Sequence, residues 1–397
     1  LDEPPPPERP AVAPERDRLL ATLAADAALA PTNGWIVGQR VRYQIEAGRP
    51  DSALAIARQC RASAWWCTAL RGFVLHTTER YVPALAAFDS ATALLPAAER
   101  CQWEDVSLWL EPKARERWTA AGCGTPARAA LARRLWTLGS PLLTRGPDDL
   151  RSEWHARQVV ARFHRDASTA YGTPWNAPTA ELETRFGWAT AWSLGDIPRD
   201  SIAGPWNVVG HEPTPSFSFF PGDAAFVAAL DGDVSALGPN AYALYAPGVR
   251  MRYAPRWARG GLLALEHVRA AQVARFRRGD TSVVAAGWSL GRDTTGFEGA
   301  ARWTAAPLGG TLLALDDALR PVGRVDQAGV KRRGAMVLRE PGGVGGKSRL
   351  VGLELRMDSL KRAARARAGL RTLAADAPLS DILLVGPGVA PDARLED

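Results

Sequence analysis

Lysine is scarce in this chain of 397 residues. Lys113, Lys331, Lys347 and Lys361 are the whole set, so the formal charge of +7 is carried by arginine. Long apolar runs are missing too. No stretch approaches the roughly 18 uninterrupted apolar residues that a membrane-spanning helix requires, which excludes a transmembrane segment. Histidine is limited to His76, His155, His164, His211 and His267, with no pair at metal-binding spacing, which argues against a histidine-based metal centre and predicts no cofactor. Cysteine is absent after Cys123. What is abundant is apolar: 46% of the residues are hydrophobic, enough for a substantial core and for two or three domains.

The four cysteines, Cys60, Cys67, Cys101 and Cys123, form an even, clustered set, which favours two disulfides. Three pairings are open. Cys60 with Cys67 and Cys101 with Cys123 are expected, because short loops close at the smallest entropic cost. Four reduced, buried thiols are the bland alternative, and zinc is disfavoured by the six residues separating the cysteines of "CRASAWWC". Disulfides imply an extracytoplasmic setting: periplasm, cell surface or secreted. A start at Leu1 rather than Met fits a removed export signal.

Basic charge is concentrated. Residues 321–371 hold 13 Lys or Arg against 4 Asp or Glu, and the rest of the chain is close to neutral. Lys331, Arg332, Arg333, Lys361, Arg362 and Arg365 are therefore the candidates for contact with an anionic partner, such as an acidic protein surface, an envelope polymer or lipid headgroups. Nucleic acid is not expected, since no recognition fingerprint accompanies the charge.

Residues 1–17, "LDEPPPPERPAVAPERD", are proline-rich and charged and are expected to form an extended tether. Residues 18–128 are alanine-rich with helical periodicity. "GRPDSALAIARQC" and "ERYVPALAAFDSATALLP" align so that Ala53, Ala57 and Cys60 match Ala84, Phe88 and Ala91, a repeat of 31 residues. The unit running from Gly72 through Tyr81, Ala84, Phe88 and Ala91 to Pro96 resembles a tetratricopeptide repeat. The resemblance implies a short stack of helical hairpins that binds or spaces other proteins.

Residues 129–237 form a tryptophan-rich, mainly helical segment. Trp154, Val159 or Val160 and Phe163 recur on one face, and the pattern breaks at "YGTPWNAP" and resumes in "AELETRFGWATAWSLGD". Gly187, Trp188 and Thr190, with Ala191 where an aspartate would stand, resemble the signature of GWxTD-domain proteins. That bacterial group implies an envelope or secreted protein with a C-terminal β-sandwich and no known catalytic residues.

Residues 238–390 read as strands, followed by a tail at 391–397. In "SRLVGLELRMD", Val351, Leu353, Leu355 and Met357 alternate with Gly352, Glu354 and Arg356. "VRMRY", "TSVVAAGWSL", "GGTLLALDD", "GAMVLRE" and "SDILLVG" are similar runs, separated by turn residues at the spacing of an antiparallel sandwich. One helix is expected within 360–370, carrying "KRAARARAGLR".

Three strings imitate catalytic motifs. "EPGGVGGKS" lacks the first glycine of a phosphate loop, with Pro341 in its place, and a strand follows it rather than a helix, so it reads as a flexible hairpin. "GWSLG" around Ser289 matches a nucleophile turn, but no histidine follows His267 to act as its base. "AWSLG" at 191–195 repeats it as a turn preference. His155 reads as a hydrogen-bonded structural residue. The neighbouring acids Glu104 and Asp105, or Glu181 and Glu183, would serve acid–base chemistry only if the fold set them across a cleft. The 15 tryptophans fit core packing better than a sugar-stacking platform.

Taken together, the sequence predicts an α+β protein: a helical repeat domain, a tryptophan-rich helical segment and an antiparallel β-sandwich. The expected role is non-enzymatic, structural or protein-binding, with a protein partner or self-assembly. A glycan-binding protein or glycan hydrolase using tryptophans and a carboxylate pair is the alternative.

Overall fold

The computed structural model describes residues 8–146, 148–165, 177–187, 191–195, 207–211, 219–238, 241–242, 251, 253, 263–264, 271–278, 281–290, 307–340, 347–360 and 362–372. The chain is α+β and divides into two compact units. The first comprises Leu1–Ala130, Pro147–Ser218 and Pro247–Arg256; the second comprises Leu131–Gly146, Phe219–Ala246 and Trp257–Asp397. The tryptophan-rich segment is thus shared between the units instead of forming one of its own.

The first unit is helical: α1 (Val12–Leu29), α2 (Gly34–Glu46), α3 (Pro50–Arg58), α4 (Ala64–Thr77), α5 (Tyr81–Ala93), α6 (Ala97–Trp103) and α7 (Pro112–Ala120), then α9 (Asp148–Arg165) and α10 (Ala177–Phe186). Helix α8 (Pro126–Gly139) begins in this unit and ends in the second. The expected tether is shorter than residues 1–17, because α1 starts at Val12. Pro14 falls in its first turn, where the N–H that proline lacks has no intrahelical acceptor anyway.

The 31-residue repeat is written into the backbone. Helix α2 closes with Gly48 N–H donating to Ile45 O and Arg49 N–H to Gln44 O, while α4 closes with Glu79 N–H donating to His76 O and Arg80 N–H to Leu75 O. Gly48 and Glu79 take the matching left-handed φ of 70° and 60°. The hairpins α2–α3 and α4–α5 therefore turn in the same way. Gly72 brings α4 against α5, since a Cβ there would lie 2.8 Å from the Phe88 ring. Glutamate pays for its left-handed conformation where glycine does not, so Glu79→Gly is expected to stabilise the unit by about 1 kcal/mol. Gly48→Ala should cost about as much, and denaturant titration of the two variants checks both signs.

Helix α9 lies against α2, α4 and α5. Its Val159 and Phe163 join Val41, Leu70 and Phe88 in one apolar cluster, and the Phe163 ring meets Trp66 and Phe73 edge-on at 5.9 and 5.3 Å. Beyond α10 the expected helical pattern gives way to strands. β1 (Ala191–Gly195) pairs antiparallel with β2 (Asn207–His211), so "AWSLG" is a strand rather than a turn.

The second unit holds α11 (Asp223–Leu230) and two sheets. Its strands are β3 (Leu263–Ala264), β4 (Gln272–Arg278), β5 (Thr281–Ser289), β6 (Gly309–Leu315), β7 (Pro321–Gln327), β8 (Arg333–Glu340), β9 (Leu350–Met357) and β10 (Arg362–Gly369). They are ordered β3-β10-β9-β6-β7 and β4-β5-β8, antiparallel except for the short β3–β10 pairing. One apolar cluster joins the sheets, with Val284 and Trp288 from one and Leu312, Val351, Leu353 and Leu355 from the other.

Two expectations are corrected here. "KRAARARAGLR" is not a helix: Arg362–Gly369 is β10, paired along its length with β9. The glycine-rich "EPGGVGGKS" does not join a hairpin, because β8 pairs with β5 while β9 pairs with β6 and β10, so the link passes from one sheet to the other. "SDILLVG" and most of "VRMRY" lie outside the described residues.

Candidate functional site

The sequence-predicted basic site does not assemble as one surface. Arg365 is buried, at 4% exposure. On β10 it shares a sheet face with Arg367, and register puts it opposite Glu354 of β9. Arg365 donates to Ser140 O and Pro141 O at 3.0 and 2.8 Å, Arg367 donates to Leu138 O at 3.0 Å, and Glu354 accepts from the Leu143 and Thr144 amides. Phe219 and Tyr242 lie under the guanidiniums, with centroids 4.9–5.2 Å away. These arginines hold residues 138–144 across the sheet and are not available to an external anion.

Arg324 pairs with Asp326 at 2.6 Å and Arg349 with Asp317 at 3.4 Å, so each of these cations has an acid beside it. Lys331 and Arg333 are exposed and Arg332 half-buried at the start of β8, and Arg333 donates to Ser289 Oγ at 3.0 Å. Lys361 and the side chain of Arg362 lie outside the described residues. The pairing of Cys60 with Cys67 and of Cys101 with Cys123 is present, with Cα separations of 5.5 and 5.7 Å.

The described histidine and neighbouring-acid candidates lie in the helical unit. A serine, a histidine and a glutamate do meet: His76 binds Ser152 Oγ through Nδ1 at 2.9 Å and Glu153 through Nε2 at 2.8 Å. Sequence reasoning missed this trio because its members lie 76 and 77 positions apart. Ser152, however, is fully buried and its hydroxyl also donates to Asp149 O, so no substrate reaches it. Burial raises Glu153, but Arg157, 2.6 Å away, and the hydrogen bond from His76 outweigh that and hold it well below the usual carboxylate range.

His155 is not oriented by a hydrogen bond at Nδ1. It is packed between the Phe88 and Trp103 rings, and burial with help from Arg151 drives it down to about 3. His164, on the opposite face of α9, meets Glu183 at 3.0 Å. Glu183 and Glu181 point apart, the latter to Arg185, while Asp105 accepts from Trp118. Neither neighbouring acid pair forms a cleft. Trp66, Trp103, Trp109, Trp118, Trp136, Trp154 and Trp288 are buried core residues.

Among the described residues, a groove of about 340 Å3 opens in the first unit between α3, α4 and α5. Its floor is apolar, from Leu54, Leu75, Pro83, Ala86 and Ala87, and its rim carries Arg58, Arg71, Arg80 and Ser90. Helical spacing makes this surface. Ala53 and Ala57 of α3 and Ala84 and Phe88 of α5 face the core, which turns Leu54, Arg58, Pro83 and Ala87 toward the gap between helices. No acidic residue lines the groove, and no described residue forms an ion pair with its three arginines.

Comparison with protein-family models, with curated proteins and with solved structures finds no match for this chain.

The arrangement therefore rests on its own geometry. A concave apolar floor with fixed positive charge on its rim can bind; the one hydroxyl that lines it, Ser90, donates to Ala86 O, and among the described residues there is no cluster of three metal-ligating side chains. Also among the described residues, no helix is long and apolar enough to cross a membrane.

Proposed function

We propose that this chain is an exported, non-catalytic interaction protein of a bacterial envelope or surface, in which the helical unit docks a partner protein and the β unit is structural. The groove carries this reading: its apolar floor and unpaired arginines are exposed on a helical unit whose turns repeat every 31 residues. The matching turns at Gly48 and Glu79 favour a tetratricopeptide-like description of that unit, whose hairpins serve as docking surfaces. Two disulfides that bridge 7 and 22 residues favour an oxidising compartment. Of the GWxTD-like signature, Gly187 closes α10 at a φ of 86°, while Trp188 and Thr190 lie outside the described residues. The glycan reading draws no support from the buried tryptophans.

The test uses protein taken from its native source. Alkylation under denaturing, non-reducing conditions should find no free thiol, and a membrane-impermeant cross-linker applied to intact cells should join the chain to another protein. Four reactive thiols, or a chain reached only after lysis, would overturn the assignment.

A further inference from the structure

Several surface arginines of the helical unit are matched to acids. Arg18 pairs with Glu15, Arg42 with Glu46, Arg49 with Asp17 and Arg151 with Asp89. Arg49 and Arg80 are equivalent in the repeat, each opening the second helix of its hairpin. Arg49 finds Asp17 on α1 at 2.8 Å, but Arg80 has no such acid, and neither do Arg58 and Arg71 beside it. The three cations converge on one apolar floor. On α5 the apolar surface continues past the groove through Val82, 66% exposed, and Leu94, 53% exposed, one helical stripe with Ala86 and Ser90.

We infer that this groove binds an acidic segment of a partner protein, its apolar side chains on the floor and its carboxylates on Arg58, Arg71 and Arg80. This rests on the interaction-protein reading above and names the partner's chemistry. Guanidinium is permanently charged, weakly hydrated and shaped to take a carboxylate through two parallel hydrogen bonds, so on this exposed rim it holds an acidic side chain with more defined geometry than lysine would. The floor distinguishes the occupant from other polyanions. A sugar polymer stacks on aromatic rings, and none lines the groove. A lipid surface is flat and would touch the rim while leaving the concave floor empty. An acidic peptide with leucine or valine at alternate positions fills both.

The experiment measures fluorescence anisotropy of labelled peptides on the full-length, oxidised chain. The probes are an Asp/Glu peptide with interspersed leucines, the same peptide with lysine for each acid, and the acidic peptide with serine for each leucine. The first should bind and the other two should bind at least about tenfold more weakly, with affinity for the first falling about tenfold or more between about 50 and 500 mM salt. Arg58→Ser and Arg71→Ser should each weaken it about fivefold at unchanged circular dichroism and melting temperature. Arg80 stands at the start of α5, so Arg80→Lys, which keeps the charge and the helix entry, replaces truncation there. Equal binding of the lysine or serine peptide would overturn the proposal. So would indifference to Arg58 and Arg71, stronger retention by anionic vesicles or polygalacturonate than by the acidic peptide, or self-association abolished by the same substitutions. Each of these failures leaves the thiol and cross-linking results standing, so loss of the site is distinguishable from loss of the broader reading.

Discussion

Arg275→Met should destabilise the β unit by about 3–5 kcal/mol, the range for removing one member of a buried ion pair. Arg275 stands on β4 among residues facing the inter-sheet cluster, yet it is fully buried. Its Nε lies 2.9 Å from Glu340 Oε2, its Nη2 donates to Glu340 Oε1 and to Ser348 O, and its Nη1 donates to Arg371 O at 2.7 Å. Glu340 also accepts from Ser282 Oγ at 2.6 Å and from the Ser348 amide at 3.0 Å. The cluster therefore joins β4, β5, β8, the entry to β9 and the chain beyond β10. Burial raises the Glu340 carboxyl, but the bonds from Ser282 and Ser348 and the charge of Arg275 outweigh it, and the group lies below its ordinary range.

The loss in Arg275→Met comes mainly from a carboxylate left buried without its cation, so the double variant Arg275→Met, Glu340→Met should recover most of it. Hydrogen exchange of the β5 and β8 amides reads the β unit apart from the helices. A double variant no more stable than the single one would mean that the cation's remaining bonds, to Ser348 O and Arg371 O, carry the stability. The folded pKa of Glu340 is depressed, so its contribution is present above the ordinary carboxylate range and is lost as pH falls below it.

Alternation and spacing carry information that survives tertiary packing, and the sequence was legible where they operate. β5, β6, β8 and β9 follow from their apolar faces, and the disulfide pairing agrees with short-loop closure. β10 was misread because Ala and Arg favour helix when no tertiary partner is considered. Its period-two pattern, Ala363, Arg365 and Arg367 against Ala364, Ala366 and Ala368, was visible but was outweighed by propensity, and the arginine face makes sense only once residues 138–144 are seen to lie on it. β4 escaped notice because Arg275 interrupts its apolar side, and a buried arginine is recognisable only from Glu340, 65 positions away. The groove was hidden for a related reason. Composition counts arginines, whereas a binding site depends on which of them lack an acid, and that is a property of the packed helices.

The second large effect is a dependence on pH with a defined sign. His164 and Glu183, with side chains 4% and 2% exposed, face each other at 3.0 Å between α9 and α10. Burial pushes Glu183 up to about 8, against the opposing charges of Arg42 and Arg157, and burial together with Arg42 pushes His164 down to about 3. Both directions favour the neutral pair, a carboxyl beside an imidazole, over the ion pair. The unfolded chain releases the glutamate proton near its ordinary value while the folded chain keeps it, so the folded state loses stability as pH rises from about 4.5 to 8. Below about 6.5 the unfolded histidine takes up a proton that the buried one refuses, and stability falls on that side too, until about pH 3. Glu183→Gln keeps a donor for the imidazole and removes the titrating group. At pH 8 this variant should be more stable than the parent by on the order of 4 kcal/mol, and at pH 5 the two should lie within about 1 kcal/mol. Asp149, raised to about 7 by burial, adds a slope of the same sign to both proteins and cancels in their difference. Denaturant titrations at the two pH values, read by exchange of α9 and α10 amides, make the comparison; a variant less stable at pH 8 would mean that the buried contact is an ion pair, with the proton on His164.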